Sequence, residues 1–311
     1  MADSSVTAPP ILALVNPKSG TAAKAREALA DAGAFDVRVV DPKGLSEAIA
    51  DAVADGHRRI VVAGGDGTIA SAARLLVGTG VELGIVPGGT LNHFARDLGI
   101  PADLPSACEI AADHTVTACA DVGYVNGLLF VNTSSVGAYV KLVRTRERLE
   151  PRLGYALASA AAALRVFLGI PRFDVEIEVE GVVRRYRTPM VFVAVGEREL
   201  KLPTLGKRVP GGRRGLHVMV VRGQRRAGLL ALALAAVARG VGHVSRTPKL
   251  DSFIVDRCCV VLRRRGPVAV DGEIVQLDTP LEYELTRDAL KVVVREATRA
   301  EDGRRGAARA F

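Results

Sequence analysis

The chain has 311 residues, room for two domains, and 49% of them are apolar with no Trp, so aliphatic packing must form the cores. No apolar run reaches the roughly 18–20 residues of a membrane span; the longest, Tyr155–Leu164 and Ala227–Ala238, are flanked by Arg and read as helices of a soluble protein. The formal charge of +8 is uneven, with net −6 over residues 1–125 and +14 over the rest.

In the first 125 residues strands and helices alternate. Strands are predicted at Ile11–Val15, Phe35–Val40, Arg59–Ala63 and Leu83–Val86, and helices at Ala22–Ala32, Ser46–Ala54 and Thr68–Leu76. That order implies an α/β domain, residues 10–125, with a parallel sheet between helices. The pattern then changes. Thr117–Val125, Asn126-Gly127 and Leu128–Thr133 read as a hairpin on a type I′ turn. Helices follow at Tyr139–Arg148 and Leu153–Phe167. Strands are predicted at Arg172–Val179, Val182–Thr188, Met190–Val195 and Leu216–Arg222, then a helix at Ala227–Arg239. More strands fit Leu250–Val255, Cys258–Leu262, Val268–Val270, Leu281–Leu285 and Ala289–Val294. Residues 126–295 thus read as a mainly antiparallel β domain with helical insertions, and 296–311 as a disordered tail.

Cys108, Cys119, Cys258 and Cys259 have no CxxC spacing, and the five His show no metal pattern. The N-terminus lacks a basic n-region and an apolar h-region, so a secretory signal is not expected and the chain is read as cytosolic. Nine basic residues and one acidic residue fall within Arg198–Arg226, with no aromatic side chain among them. Stacking platforms for bases are missing, which argues against nucleic acid and favours an anionic membrane surface.

Three glycine-rich turns follow strands of the first domain, where ligands bind in open α/β sheets. They are Asn16-Pro17-Lys18-Ser19-Gly20, Gly64-Gly65-Asp66-Gly67-Thr68 and Pro87-Gly88-Gly89-Thr90-Leu91-Asn92. Glycines there let backbone N–H groups approach phosphate oxygens; Ser19, Thr68 and Thr90 add hydroxyls, and Lys18 adds a cation. No Walker A loop occurs, and no GxGxxG fingerprint follows the first strand. Far downstream, Asp271-Gly272-Glu273 places two carboxylates beside one glycine after a strand, an ordinary turn composition that also suits a general base.

Together these motifs, with His93-Phe94-Ala95-Arg96 after the third and Asp121-Val122-Gly123 beyond it, resemble the diacylglycerol kinase catalytic-domain family, which includes sphingosine kinases and bacterial lipid kinases. The resemblance covers about residues 10–295. It implies an ATP- and Mg²⁺-dependent kinase with a nucleotide domain and a lipid domain meeting at a cleft. The turn residues Asn16 to Gly20, Gly64 to Thr68, Gly88, Gly89, Thr90 and Asn92 would bind the nucleotide, and Asp66 and Asp121 would hold Mg²⁺. Asp271 or Glu273 would take the proton from a lipid hydroxyl; the sequence does not choose between them. Implied partners are a lipid with a free hydroxyl and the inner membrane face, with a homodimer left open.

Two departures stand out. His93 occupies a position commonly Asp in the family, so the metal shell must differ from that version of the site. Arg213-Arg214-Gly215 matches an acidic turn that binds a structural Mg²⁺ in some bacterial members, so that metal is expected to be absent. An NAD kinase relative, which shares a GGDGT turn, and a non-catalytic lipid-binding protein are the alternatives.

Overall fold

The computed structural model describes residues 9–113, 117–168, 172–199, 207–221 and 250–295. The predicted helix at Ala227–Arg239, the tail from 296 onward and much of the basic Arg198–Arg226 stretch lie outside them. The chain divides into two compact units. One comprises residues up to Ala120 and again from Arg287; the other is Asp121–Thr286.

The first unit is α/β. Its strands β1 (Ile11–Val15), β2 (Phe35–Val39), β3 (Arg59–Gly64) and β4 (Glu82–Pro87) alternate with helices α1 (Ala22–Asp31), α2 (Leu45–Ala54) and α3 (Asp66–Leu76). All pairs are parallel, in the order β2-β1-β3-β4. Every residue of β1 and β3 is buried, the signature of strands covered on both faces. Ala25 and Leu29 of α1 pack with Ala13, Val15, Val61 and Ala63. Two helices that the sequence pattern did not reveal follow: α4 (His93–Asp97) and α5 (Leu104–Ala112), the latter capped by Asp103 accepting from the Ser106 N–H at 3.0 Å. Cys108 and Ala111 of α5 join the same core, and burial pushes the Cys108 thiol up to about 11.

The second unit is antiparallel β with one helical stretch among the described residues. β5 (Thr117–Val125) enters it from the first unit, and β6 (Leu128–Phe130) folds back on β5 through Asn126 and Gly127, both at positive φ as the type I′ turn requires. After β7 (Thr133–Gly137) comes α6 (Ala138–Leu168), broken at Gly154 by non-helical dihedrals, so it is two helices, as predicted. Then follow β8 (Phe173–Val179), β9 (Val182–Thr188), β10 (Met190–Val195), β11 (Leu216–Val221), β12 (Leu250–Val255) and β13 (Arg257–Leu262). The last are β14 (Gly266–Val270), β15 (Glu273–Leu277) and β16 (Leu281–Val293). β15 was not foreseen, and the two strands expected at Leu281–Leu285 and Ala289–Val294 are one.

Six strands pair in the order β12-β11-β10-β7-β14-β15. A second layer joins β16, β13, β8 and β9. Val136, Val193, Val218 and Val268 of one layer and Ile177, Val260 and Leu281 of the other share a core. Tyr283 joins the layers. Its hydroxyl lies 3.0 Å from Ser134 Oγ, its ring meets Phe130 edge-on, and burial raises its pKa far above the usual phenol value. Beyond Arg287, β16 belongs to the first unit, where Val292 pairs in parallel with Leu83.

Candidate active site

The three glycine turns lie together in the first unit because β1, β3 and β4 are adjacent and parallel. The Asn16 amide donates to Thr68 Oγ1 at 2.8 Å and its Oδ1 accepts from the Lys18 N–H at 2.9 Å, so the first turn is tied to the second. The Gly88 N–H donates to the Gly64 carbonyl at 2.8 Å, tying the second turn to the third. Contact between them is glycine on glycine. A Cβ on Gly89 would lie 2.8 Å from Gly65 Cα, and one on Gly88 would lie 3.2 Å from Gly64 Cα. Asn92, left-handed at φ 48°, closes the third turn by exchanging hydrogen bonds with Gly89 N and O at 2.9 and 2.7 Å.

Two hydroxyls in this cluster, Ser19 Oγ and Thr21 Oγ1, are buried and have no hydrogen-bond partner, and both face Gly88, within 3.1 and 3.2 Å of where its Cβ would stand. Buried hydroxyls without partners are costly, and a phosphate oxygen would satisfy them. The cluster also includes the start of α3, whose first N–H groups have no intrahelical acceptor. Thr21 was missed in the sequence, since it lies one residue past the motif. Lys18 is exposed and pairs with Asp41 at 3.2 Å, and its hydrogen bond, with one from the Lys43 N–H, lowers the Asp41 pKa.

Asp66 is half-buried at the first position of α3, and its N–H lies 3.6 Å from where a Gly89 Cβ would stand. One carboxylate beside a cluster of glycine turns and unpartnered hydroxyls has the chemistry to hold Mg²⁺, which keeps several waters and shares phosphate oxygens. No group of three His, Cys, Asp or Glu side chains with metal-site geometry exists among the described residues. Asp121 differs from expectation. Its side chain is 4% exposed, and both oxygens accept from Arg214, Oδ2 from Nε at 2.8 Å and Oδ1 from Nη2. A metal at Asp121 would have to displace a guanidinium. His93 is exposed at the start of α4.

In the second unit, Asp271 and Gly272 form the two-residue turn between β14 and β15, at φ 47° and 89°, with Val270 paired to Glu273. The motif is therefore a turn, as its composition allows, but its two carboxylates are not equivalent. Asp271 Oδ2 accepts from the Val131 N–H at 2.9 Å, and Oδ1 from the Asn132 and Thr133 N–H groups at 2.9 and 3.0 Å. The Asp271 N–H in turn donates to the Thr133 carbonyl at 2.8 Å. Glu273 is exposed, at the first position of β15.

Residues 10–125 match the model of the diacylglycerol kinase catalytic domain. Over these residues, a little over a third of its length, the chain is similar to the diacylglycerol kinase catalytic domain. A diacylglycerol kinase of Mycobacterium tuberculosis strain H37Rv is 39% identical over 114 residues, 34% of this chain and 36% of that protein. A Pseudomonas syringae pv. tomato protein named "Probable lipid kinase YegS-like" is 36% identical over 145 residues, 45% of this chain and 44% of its own. The chain thus spans less than half the length of these curated relatives. The crystal structure of a diacylglycerol kinase from Bacillus anthracis shares the fold, with a TM-score of 0.68 at 22% identity, over 93% of this chain and 98% of that one.

The diacylglycerol kinase match contains all three glycine turns and Asp121, whereas Asp271 and Glu273 lie outside it. Two further residues around the second-unit turn had no signal in the sequence. Arg198, read as part of a basic surface, is 4% exposed, and His217 is 3% exposed. Arg213 and Arg214 of the same stretch are paired with Glu197 and Asp121. Among the described residues, no helix is long and apolar enough to cross a membrane.

Proposed function

We propose that the chain transfers the γ-phosphoryl of ATP to the hydroxyl of a lipid. The observation that carries this reading is the cluster of three glycine turns with two buried, unpartnered hydroxyls, Ser19 Oγ and Thr21 Oγ1, facing Gly88. It supports a site for the oxygens of a polyphosphate, bound by backbone N–H groups and hydroxyls. Mg²⁺, when bound, neutralises charge on the transferring phosphoryl; Asp66 would hold it, and Asp121 could join only by releasing Arg214. Glu273 would accept the proton of the lipid hydroxyl. Asp271 already uses both oxygens on backbone donors, the role of an ionised acceptor, and would fix the turn that presents Glu273. The enzyme would meet its substrate as a peripheral protein at the inner membrane face, where Lys207 is an exposed cation of the described basic stretch.

Radiolabelled ATP with Mg²⁺ and separate vesicle preparations containing diacylglycerol, a sphingoid base, phosphatidylglycerol or a polyprenol tests the reading. Label extracted with one of the lipids is expected. Label on NAD in a parallel reaction would instead make the chain an NAD kinase, and ATP binding without transfer would favour a non-catalytic role.

A further inference from the structure

Asn132, between β6 and β7, is held at three points. Its N–H donates to Asp271 Oδ1 at 2.9 Å, its carbonyl accepts from the Val195 N–H at 3.0 Å, and its Oδ1 accepts from Arg198 Nη2 at 3.0 Å. The same Nη2 donates to the Val195 carbonyl at 2.9 Å, so one guanidinium nitrogen ties together two residues whose backbones already bond each other. The Arg198 backbone is fixed as well, because its N–H donates to Nδ1 of the buried His217 at 2.9 Å. A buried guanidinium is costly unless its hydrogen bonds are specific, and a lysine ammonium cannot reproduce its planar fork. The segment held in this way, residues 131–133, supplies three N–H groups to the Asp271 carboxylate.

We infer that Arg198 is a positioning residue for the Asp271-Gly272-Glu273 turn and acts through Asn132. The inference rests on the reading of Glu273 as the general base. Removing the Asn132 side chain leaves the N–H groups of residues 131–133 on Asp271 but removes the segment's direct bond to Arg198, leaving only the path through Val195. A reacting group displaced by about 1 Å can lose ~10²-fold in rate. The nucleotide turns belong to the other unit, so ATP binding should not respond.

The test uses the full chain, diacylglycerol in mixed micelles and labelled ATP, with wild type, Asn132→Ala, Arg198→Met, the double variant and Glu273→Gln. Expected are a fall in kcat of about 10- to 100-fold for Asn132→Ala and for Arg198→Met and a KM for ATP within about twofold of wild type. The acid limb of the kcat–pH profile should move. The double variant should lose no more than the worse single, as two members of one linkage do. Wild-type kcat in Glu273→Gln would overturn the base assignment itself. Loss in Glu273→Gln with unchanged kcat in Asn132→Ala and Arg198→Met would overturn the positioning role alone. So would losses that multiply in the double variant, or a fall in kcat with an unmoved pH profile, which marks mere destabilisation. If Arg198→Met does not fold, Asn132→Ala decides by the same criteria.

Discussion

Arg214 grips Asp121, 93 positions earlier in the chain, with Nε and Nη2 on separate carboxylate oxygens, and Asp121 is the more deeply buried partner. The sequence resemblance expects a divalent cation at Asp121. The structure supplies a cation of the chain's own, of matching bidentate geometry.

Removing that cation should destabilise the second unit. Arg214→Ala leaves a buried carboxylate without its guanidinium, a loss of about 1–3 kcal/mol once the half-exposed position of Arg214 is allowed for. Thermal denaturation should show a Tm lower by several degrees, recovered in large part by adding Asp121→Asn. If millimolar Mg²⁺ restores Arg214→Ala to wild-type Tm, Asp121 is a metal ligand after all.

Asp66→Ala should abolish phosphoryl transfer with an unchanged Tm, because the side chain sits at the surface end of α3 and outside the core. Near-normal turnover at saturating Mg²⁺ would remove Asp66 from the site.

Gly89→Ala should weaken nucleotide binding at least tenfold, about 1.4 kcal/mol, read by calorimetry. Its methyl would stand 2.8 Å from Gly65 Cα, a backbone atom that cannot swing aside. Gly65→Ala should be milder, since its Cβ would meet Gly89 at 3.4 Å. Equal affinities for the two variants would show that nucleotide does not bind where the second and third turns meet.

The two carboxylates of the second-unit turn should separate on two axes. Glu273→Gln should lower kcat by about 10²–10⁴-fold with an unchanged Tm. Asp271→Asn should lower Tm as well, because an amide would turn its own N–H₂ donor toward one of the N–H groups that Asp271 now accepts from. An unchanged Tm in Asp271→Asn would show that the turn does not depend on those bonds.

His217 should make stability fall with acid. Burial, with Arg213 and Arg198 adding and Glu197 opposing, lowers its pKa from 6.5 to about 4. Between those values the unfolded chain binds a proton that the folded chain refuses, so this contribution is complete above pH 6.5 and is lost as pH falls toward 4. His217→Asn, which keeps an acceptor for the Arg198 N–H, should flatten the Tm–pH curve in that window. A slope as steep as wild type would assign the acid sensitivity to other groups.

Much of the first unit was legible in its residues, because strands covered on both faces read as unbroken apolar runs and each ends in a glycine turn. Helix α4 escaped because five residues are too few to show a period, and it follows a left-handed Asn92 inside the third motif. Helix α5 carries a start signal in Asp103 and Pro105. The long β16 was read as two strands because the exposed Thr286, Arg287 and Asp288 interrupt its alternation. Local motifs picked out the glycine turns and the DGE turn as candidates. They could not find the contacts of Arg198 with Asn132 and of Arg214 with Asp121, which span 66 and 93 positions. Charge counting groups Arg198 with a basic surface, whereas its side chain is buried.

The return of β16 to the first unit bears on the order of synthesis. Val292 pairs with Leu83 of β4, and the Gly78 N–H donates to the Ala289 carbonyl at 3.3 Å, so the first unit takes its last strand from residues made after the whole of the other unit. A nascent chain released only as far as Thr286 would carry β4 as an open sheet edge, a template for pairing with a neighbouring chain. Ribosome-stalled chains ending before and after residue 293 should therefore differ in protease resistance within residues 9–113, although those residues are identical in both.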